Sequence, residues 1–207
     1  MTETDARAVA PVAEASPGGD PPNQPGSTRE RILDVALELF VEHGYDGTSL
    51  RQIAERLGIT KAALYYYFAS KDDILMALHM RIHEFGRAEL GGIGDEPMTL
   101  EVWSTLLSGV MSHMMAQRPL FLLHERNQAA IEKLHHQEHM EAHDDFDTQF
   151  RRILADDRVP LEDRVRMAGA FGVVFATIFL AGDAFLSASN DELHNAVWRT
   201  VMSALGQ

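Results

Sequence analysis

The sequence has 207 residues and contains no cysteine. Disulfide frameworks, cysteine-ligated zinc sites and cysteine nucleophiles are therefore excluded, and a cytoplasmic protein is expected. The N-terminus is acidic and rich in proline and glycine, whereas a secretory signal would be basic and then apolar. We therefore predict no signal peptide.

Long apolar runs are also scarce. The longest, Ala168 to Phe185, is interrupted by Gly172, Thr177 and the pair Gly182-Asp183. It predicts a buried helix, because a membrane span needs about 20 mostly apolar residues. Alternation of apolar and polar residues, which is typical of strands, is absent as well. These two absences predict an all-α protein without a membrane partner.

Positive charge is in short supply, since the net charge is −13 at pH 7. The deficit is uneven: residues 28–71 carry six basic and six acidic side chains, and residues 72–207 carry eleven basic and twenty-one acidic ones. The excess of acid therefore lies mostly in the C-terminal two thirds. A nucleic-acid site in residues 28–71 is permitted, but its phosphate contacts must come from a few groups and from two copies.

Residues 1–27 combine five prolines with several glycines and show no apolar periodicity. This composition predicts a disordered N-terminal arm. A DNA-groove arm is the alternative, although Arg7 is its only basic residue.

The segment from Thr48 to Phe68 contains two short helical patterns separated by a tight break. Ser49 and Gln52 have the spacing of a capping box at the start of the first helix. Gly58 follows the last apolar position of that helix, where a left-handed residue is favoured, and Thr60 can cap a second helix. Two helices joined by such a turn are typical of a helix-turn-helix, whose second helix lies in the DNA major groove.

An amphipathic helix precedes this unit. Its apolar stripe predicts a helix that begins near Ser27 or Thr28 and ends at Gly44. The three helices can then share a small core: Ile32, Ala36, Phe40, Leu50, Ile53, Leu57, Leu64 and Phe68.

Residues 28–75 resemble the TetR family of transcriptional regulators. The resemblance lies in Ala36–Phe40, Gly44-Tyr45, Thr48–Leu50, Ile53-Ala54, Gly58–Lys61, Leu64–Phe68 and Lys71–Leu75. Ala62 and Tyr67 depart from the family, which often has glycine and histidine there. The resemblance implies a DNA-binding domain over residues 28–75 and an effector-binding and dimerisation domain over residues 76–207. It also implies a helix, from about Lys71 to Glu89, that transmits ligand occupancy to the DNA-binding domain.

The candidate DNA-binding residues lie at the two helix starts and along the second helix. Helix starts favour phosphate, small residues permit close groove approach, and hydroxyl and ammonium groups bind phosphate oxygens. Tyr65 and Tyr66 are expected to project away from the side of Leu64 and Phe68; the alternative is that one or two of the three tyrosines pack in the core, Tyr65 first among them. The candidates are Thr48, Ser49, Thr60, Lys61, Ala62, Ala63, Tyr65, Tyr66, Tyr67 and Lys71.

The C-terminal half is predicted to be helical throughout. The expected helices are Thr99–Gln117, Pro119–Leu134, Glu138–Leu154, Leu161–Leu186 and Asp191–Leu205. Adaptable methionine and aromatic side chains in them either fill a core or line a small-molecule cavity. The candidate ligand-binding residues are Trp103, Met111, Met114, Met115, Phe121, Phe171, Phe175 and Phe179.

The last two helices predict a homodimer. Gly169, Gly172 and Ala176 allow close helix approach, and the helix that carries them is apolar nearly all round. A second subunit would bury that surface, and a two-fold dimer matches paired DNA half-sites. Burial within one subunit is the alternative.

Three histidines, His135, His139 and His143, recur every four residues on one helical face. Such spacing can hold a metal, but the neighbours are polar and no H-E-x-x-H motif is present, so a solvated face is the preferred interpretation. No metal, cofactor or catalytic residue is therefore predicted.

Together these features predict an all-α protein with a three-helix helix-turn-helix head and a helical ligand-binding and dimerisation domain. The expected function is that of a ligand-responsive transcriptional repressor. Its expected partners are a double-stranded DNA operator and a small-molecule effector that releases the protein from this operator. The alternative is a helical metal- or ligand-binding enzyme that uses the face of His135, His139 and His143.

Overall fold

The computed structural model of the protein describes residues 26–134 and 148–207. The described residues form helices joined by turns and contain no strand. None of the helices in these two ranges is long and apolar enough to cross a membrane.

Three helices form the N-terminal part of the molecule: α1 (Thr28–His43), α2 (Leu50–Leu57) and α3 (Lys61–Tyr67). Local capping sets where each begins. The side chains of Ser27, Ser49 and Thr60 accept hydrogen bonds from the third residue of each helix, and Ser49 forms the expected capping box with Gln52. Gly58 ends α2 in the left-handed conformation, with φ of 68°.

The core of these helices is close to the one expected. Ile32, Ala36, Phe40 and Ile53 are buried, together with Leu64 and Phe68. Leu50 and Leu57 are only partly buried and pack against the edge of this core. The apolar spacing therefore identified the buried face but overstated its width.

The loop between α1 and α2 is held by Thr48 and Lys71. Thr48 is buried, and its hydroxyl lies 3.1 Å from the carbonyl oxygen of Leu39 and 2.9 Å from that of Gly44. The Lys71 ammonium donates to the carbonyl oxygens of Tyr45, at 2.7 Å, and Thr48, at 3.0 Å. The first residue of α4 is therefore attached to the loop that leads into the helix-turn-helix.

The remaining helices form a bundle. Their bounds are α4 (Lys71–Gly91), α5 (Leu100–Ala116), α6 (Arg118–Arg126), α7 (Gln128–Lys133), α8 (148–154), α9 (Leu161–Phe175) and α10 (Asn190–Leu205). Helices α9 and α10 pack along each other, and both also pack on α5. Helix α1 packs against α4 and α6, so the N-terminal helices contact the bundle.

Two predicted helices are divided in the structure. The segment Pro119–Leu134 is broken at Asn127, whose side-chain amide donates to the carbonyl oxygen of Leu123, 2.7 Å away. The segment Leu161–Leu186 is α-helical only to Phe175, and a π-helical turn (Ala176–Leu180) and a 3₁₀ turn (Gly182–Phe185) follow it. Apolar periodicity does not register such a change in hydrogen-bonding pattern, because the residue types stay the same.

The hydroxyl of Thr48 gives a test of the loop. Replacing Thr48 with valine keeps its shape but leaves the carbonyl oxygens of Leu39 and Gly44 without this donor. We expect the free energy of unfolding to fall by about 1–2 kcal/mol, the usual loss for a buried hydrogen bond. Urea denaturation of the full chain measures it.

Thr105→Val is the matched control, because the hydroxyl of the exposed Thr105 also donates to a backbone carbonyl, that of Glu101. Equal losses of stability in the two variants would show that Thr48 does not brace the loop.

Candidate nucleic-acid interface and ligand cavity

Helix α3 presents small and polar side chains to solvent. Thr60, Lys61, Ala62 and Ala63 are exposed at its start, and Tyr66 is 75% exposed. Leu64 is completely buried on the opposite side and anchors the helix to α2. The exposed face carries a cation, two small residues and a phenol, which suit phosphate contact and close approach to base edges.

The three tyrosines differ in exposure. Tyr65 is 44% exposed and projects away from the Leu64 side as expected, so the alternative that it packs in the core is wrong; the Lys61 ammonium lies 5.4 Å from the centre of its ring. Tyr67 is the partly buried one, and its ring meets that of Tyr66 edge-on at 5.1 Å between centres. Because a helix this short buries one narrow stripe, the position next to Leu64 turns outward.

Two candidate DNA-binding residues have structural partners instead. The Thr48 side chain points into the loop, so its hydroxyl is not presented at the surface. The Lys71 ammonium is held by two carbonyl oxygens and lies 4.2 Å from the centre of the Tyr45 ring. Ser49 remains exposed, but its hydroxyl serves the capping box. These three side chains shape the surface that α3 offers.

Ion pairs explain how a head without net charge presents a cation. Arg51 pairs with Glu55, Arg56 with Glu38 and Glu42, and Arg81 on α4 with Glu30 and Asp34 on α1. Among the described residues, no carboxylate lies within ion-pair distance of Lys61. Lys61 therefore lies on the exposed face of α3 beside the Tyr65 ring and without a described carboxylate partner.

Tyr45 adds a second contact between the loop and α4. Its hydroxyl donates to the carboxylate of Asp72, next to Lys71. Burial and this bond to a negative partner raise the pKa of the Tyr45 phenol, so it stays protonated and can donate throughout the physiological range.

A cavity of about 460 Å³ lies within the bundle, between α4, α5, α6, α8 and α9. Six of the eight candidate ligand-binding residues line it: Trp103, Met114, Phe121, Phe171, Phe175 and Phe179. Met111 and Met115 do not, because both are buried in the core on other sides of α5. The indole of Trp103 donates to the carbonyl oxygen of Met167, 3.0 Å away, and ties α5 to α9 beside the cavity.

Three histidines and a glutamate supply the polar part of the lining. Nε2 of His79 lies 2.9 Å from Nε2 of His83, and Nδ1 of His79 lies 3.0 Å from Nδ1 of His124. His79 is buried, and its ring stacks on that of His124. Each nitrogen pair needs one donor and one acceptor, so the tautomers of the three rings are linked.

Sequence reasoning missed these polar residues. His79, Ile82, His83, Gly86 and Glu89 recur at helical spacing on α4, a signal visible in the sequence, and all of them line the cavity. His124 belongs to α6, and only the packing of α6 against α4 brings it to His79.

The surface of α9 carries the small residues expected at a dimer interface. Leu161 and Val165 are 68% and 62% exposed, and Gly169 and Gly172 continue the same face one and two turns on. Apart from their own helix, no described part of the chain lies within 4 Å of a Cβ built on either glycine. Val174 and Ile178 are buried within the subunit, so only one face of this segment is open.

The face of His135, His139 and His143 lies outside the described residues, as does most of the predicted N-terminal arm. Within the ranges that the structure covers, no group of three or more histidine, aspartate and glutamate side chains is arranged to hold a metal ion.

Known proteins resemble the N-terminal helices most clearly. The profile of the bacterial regulatory proteins of the tetR family matches residues 32–78. The transcriptional regulator AcrR of Shigella flexneri is 42% identical over 64 residues, which are 31% of this chain and 28% of that protein. IcaR of Staphylococcus aureus, a negative transcriptional regulator of the biofilm operon icaADBC, is 52% identical over 46 residues, 22% of this chain and 25% of that protein. The chain thus spans only about a quarter of the length of these relatives.

The resemblance to solved structures extends over the bundle. A transcriptional regulator of the TetR/AcrR family from Thermobifida fusca superposes with a TM-score of 0.56 and 28% identity, over 84% of this chain and 96% of that one. The helix-turn-helix, the helical bundle and the order of the helices therefore agree with one family. Residues 32–78 therefore match the tetR family of bacterial regulatory proteins, and the helical fold of the described chain resembles that of a solved regulator of the TetR/AcrR family.

Proposed function

We propose that the protein is a cytoplasmic homodimeric repressor that binds a DNA operator and leaves it when a small molecule occupies the cavity. Residues 28–75 form its DNA-binding domain, and residues 76–207 bind the effector and a second subunit. The observation that carries this proposal is the exposed face of α3, with Lys61 unpaired among the described residues and Tyr66 projecting into solvent. Thr60, Ala62, Ala63 and Tyr65 complete the reading face.

Repression is favoured over activation by the likeness to IcaR, which is a negative regulator. The rival interpretation, an enzyme built on the His135, His139 and His143 face, receives no support from the family. Members of a family of DNA-binding regulators need no catalytic group, and the exposed face of α3 has no role in an enzyme.

The charge of the head and the exposed face of α9 both support a dimer. One α3 offers a single unpaired lysine, so its phosphate contacts alone are weak. Two heads on one two-fold axis double those contacts and match paired half-sites. The exposed stripe of Leu161, Val165, Gly169 and Gly172, beside α10, is the surface we assign to the partner subunit.

Helix α4 couples the cavity to the head. Its first turn holds the α1–α2 loop through Lys71, and its later turns carry His79, His83 and Glu89 into the cavity wall. A ligand that fits one position of α4 better than another shifts the population of head positions. Repression is relieved only if the ligand binds the DNA-competent state more weakly.

Lys61→Ala tests the DNA-binding proposal. We expect about a tenfold loss of operator affinity, equivalent to about 1.4 kcal/mol. The slope of log affinity against log salt should become shallower by about 0.9 for each head, since one phosphate contact is lost. Fluorescence anisotropy with DNA fragments selected by the purified protein measures both quantities.

Lys133→Ala is the control for this measurement, because Lys133 is an exposed lysine on α7, away from the head. If Lys61→Ala bound DNA with the affinity and salt slope of the control, α3 would not be the reading helix.

The Lys71→Met variant tests whether Lys71 holds the α1–α2 loop or contacts a DNA phosphate. The variant keeps the length of the side chain and loses the ammonium that bonds Tyr45 and Thr48. We expect operator affinity to fall while the salt slope stays unchanged, because no phosphate contact is removed. A slope as shallow as that of Lys61→Ala would assign Lys71 to the DNA instead.

Val165→Asp tests the dimer. A carboxylate on the exposed stripe of α9 would be buried unpaired in the interface, at a cost of several kcal/mol. We expect the variant to sediment as a folded monomer and to lose operator affinity. Val41→Asp, at a 43% exposed position on α1, is the control and should remain dimeric. A dimeric Val165→Asp variant would place the interface elsewhere.

A further inference from the structure

The lining of the cavity has an uneven charge. Its only carboxylate among the described residues is that of Glu89, and none of the described lining residues is lysine or arginine. The sequence of residues 135–147 contains no lysine or arginine either. Glu89 is half-buried, and no described cation lies within ion-pair distance of it.

The surroundings of Glu89 leave its charge uncompensated. Its Oε2 lies 3.7 Å from the position of a Cβ on Gly109, so the carboxylate lies against α5 where that helix has no side chain. His113, one turn further along α5, is a basic group that the charge of Glu89 influences. Burial lowers the pKa of the His113 imidazole in spite of Glu89, so His113 is mainly neutral at pH 7.

Aromatic rings supply most of the remaining wall. Phe171, Phe175 and Phe179 form a stack along one side, with 5.9 and 4.9 Å between successive ring centres and interplanar angles of 21° and 16°. Phe121 meets Phe179 edge-on, at 5.1 Å between centres. The faces of such rings are electron-rich and attract cations, most strongly where water is excluded.

We propose that the cavity takes a flat aromatic cation, whose rings lie against the phenylalanine stack and whose positive charge is balanced by Glu89. This inference rests on the proposed function, because it names the chemical class of the effector. An aromatic carboxylate is disfavoured at the same place: it would lose its hydration, find no lysine or arginine in the described wall, and be repelled by Glu89.

Three probes of one shape separate charge from fit: 10-methylacridinium is a fixed cation, acridine is neutral at mildly alkaline pH, and acridine-9-carboxylate is an anion. Each is titrated calorimetrically into the full-length protein, into Glu89→Gln and into Glu84→Gln. Glu84→Gln makes the same charge change on the solvent-exposed side of α4 and is the matched control.

We expect the wild type to bind the cation about tenfold more tightly than acridine, and acridine more tightly than the anion. Glu89→Gln should bring the cation to the affinity of acridine and leave acridine itself unchanged. Glu84→Gln should behave as the wild type. The proposal is overturned if the anion binds most tightly, if Glu89→Gln retains the preference for the cation, or if no probe binds.

The same probes are then added to the complex with selected operator DNA. A cation that binds through Glu89 but leaves the complex intact would support the cation site and contradict ligand-responsive repression. Release of DNA by acridine or its carboxylate, but not by the cation, would support ligand-responsive repression and overturn the cation site.

Discussion

The bond between the Lys71 ammonium and the carbonyl oxygens of Tyr45 and Thr48 is the contact on which the rest of this structure depends. It attaches the first residue of α4 to the loop that sets the angle of α2 and α3. The opposite end of the same 21-residue helix lines the cavity. Helix α4 therefore connects the α1–α2 loop with the wall of the cavity.

Ion pairs compensate several of the charges on the N-terminal helices. Arg51 is paired with Glu55 one turn further along α2, Arg56 with Glu42 on α1, and Arg81 on α4 with Glu30 and Asp34 on α1. Exposed ion pairs contribute little stability. Helix α3 itself carries one basic residue, Lys61, in a chain of net charge −13. Under the proposed function, operator affinity therefore depends on how many heads contact the DNA.

Aromatic side chains that contact one another form much of the cavity wall: Phe121 meets Phe179 edge-on, and Phe171, Phe175 and Phe179 stack in succession. The change from α-helix to π-helix after Phe175 lies in this wall, and Phe179 belongs to that turn. Turns of this kind are frequent at functional sites, where they re-aim side chains that a regular helix would direct elsewhere. Trp103, bonded to the carbonyl of Met167, holds α5 and α9 in place on either side.

Local chemistry predicts much of this molecule. The caps at Ser27, Ser49 and Thr60 and the left-handed Gly58 are decided within a few residues, and the sequence by itself determined where α1, α2 and α3 begin, which faces they bury and which family they resemble. Six aromatic and methionine residues of the cavity were also predictable from their type. The roles of Thr48 and Lys71, the break after Phe175 and the meeting of His79 with His124 were decided only by the tertiary structure. Each depends on a partner outside the residue's own helix or on the path of the backbone, and spacing along one helix carries no information about either.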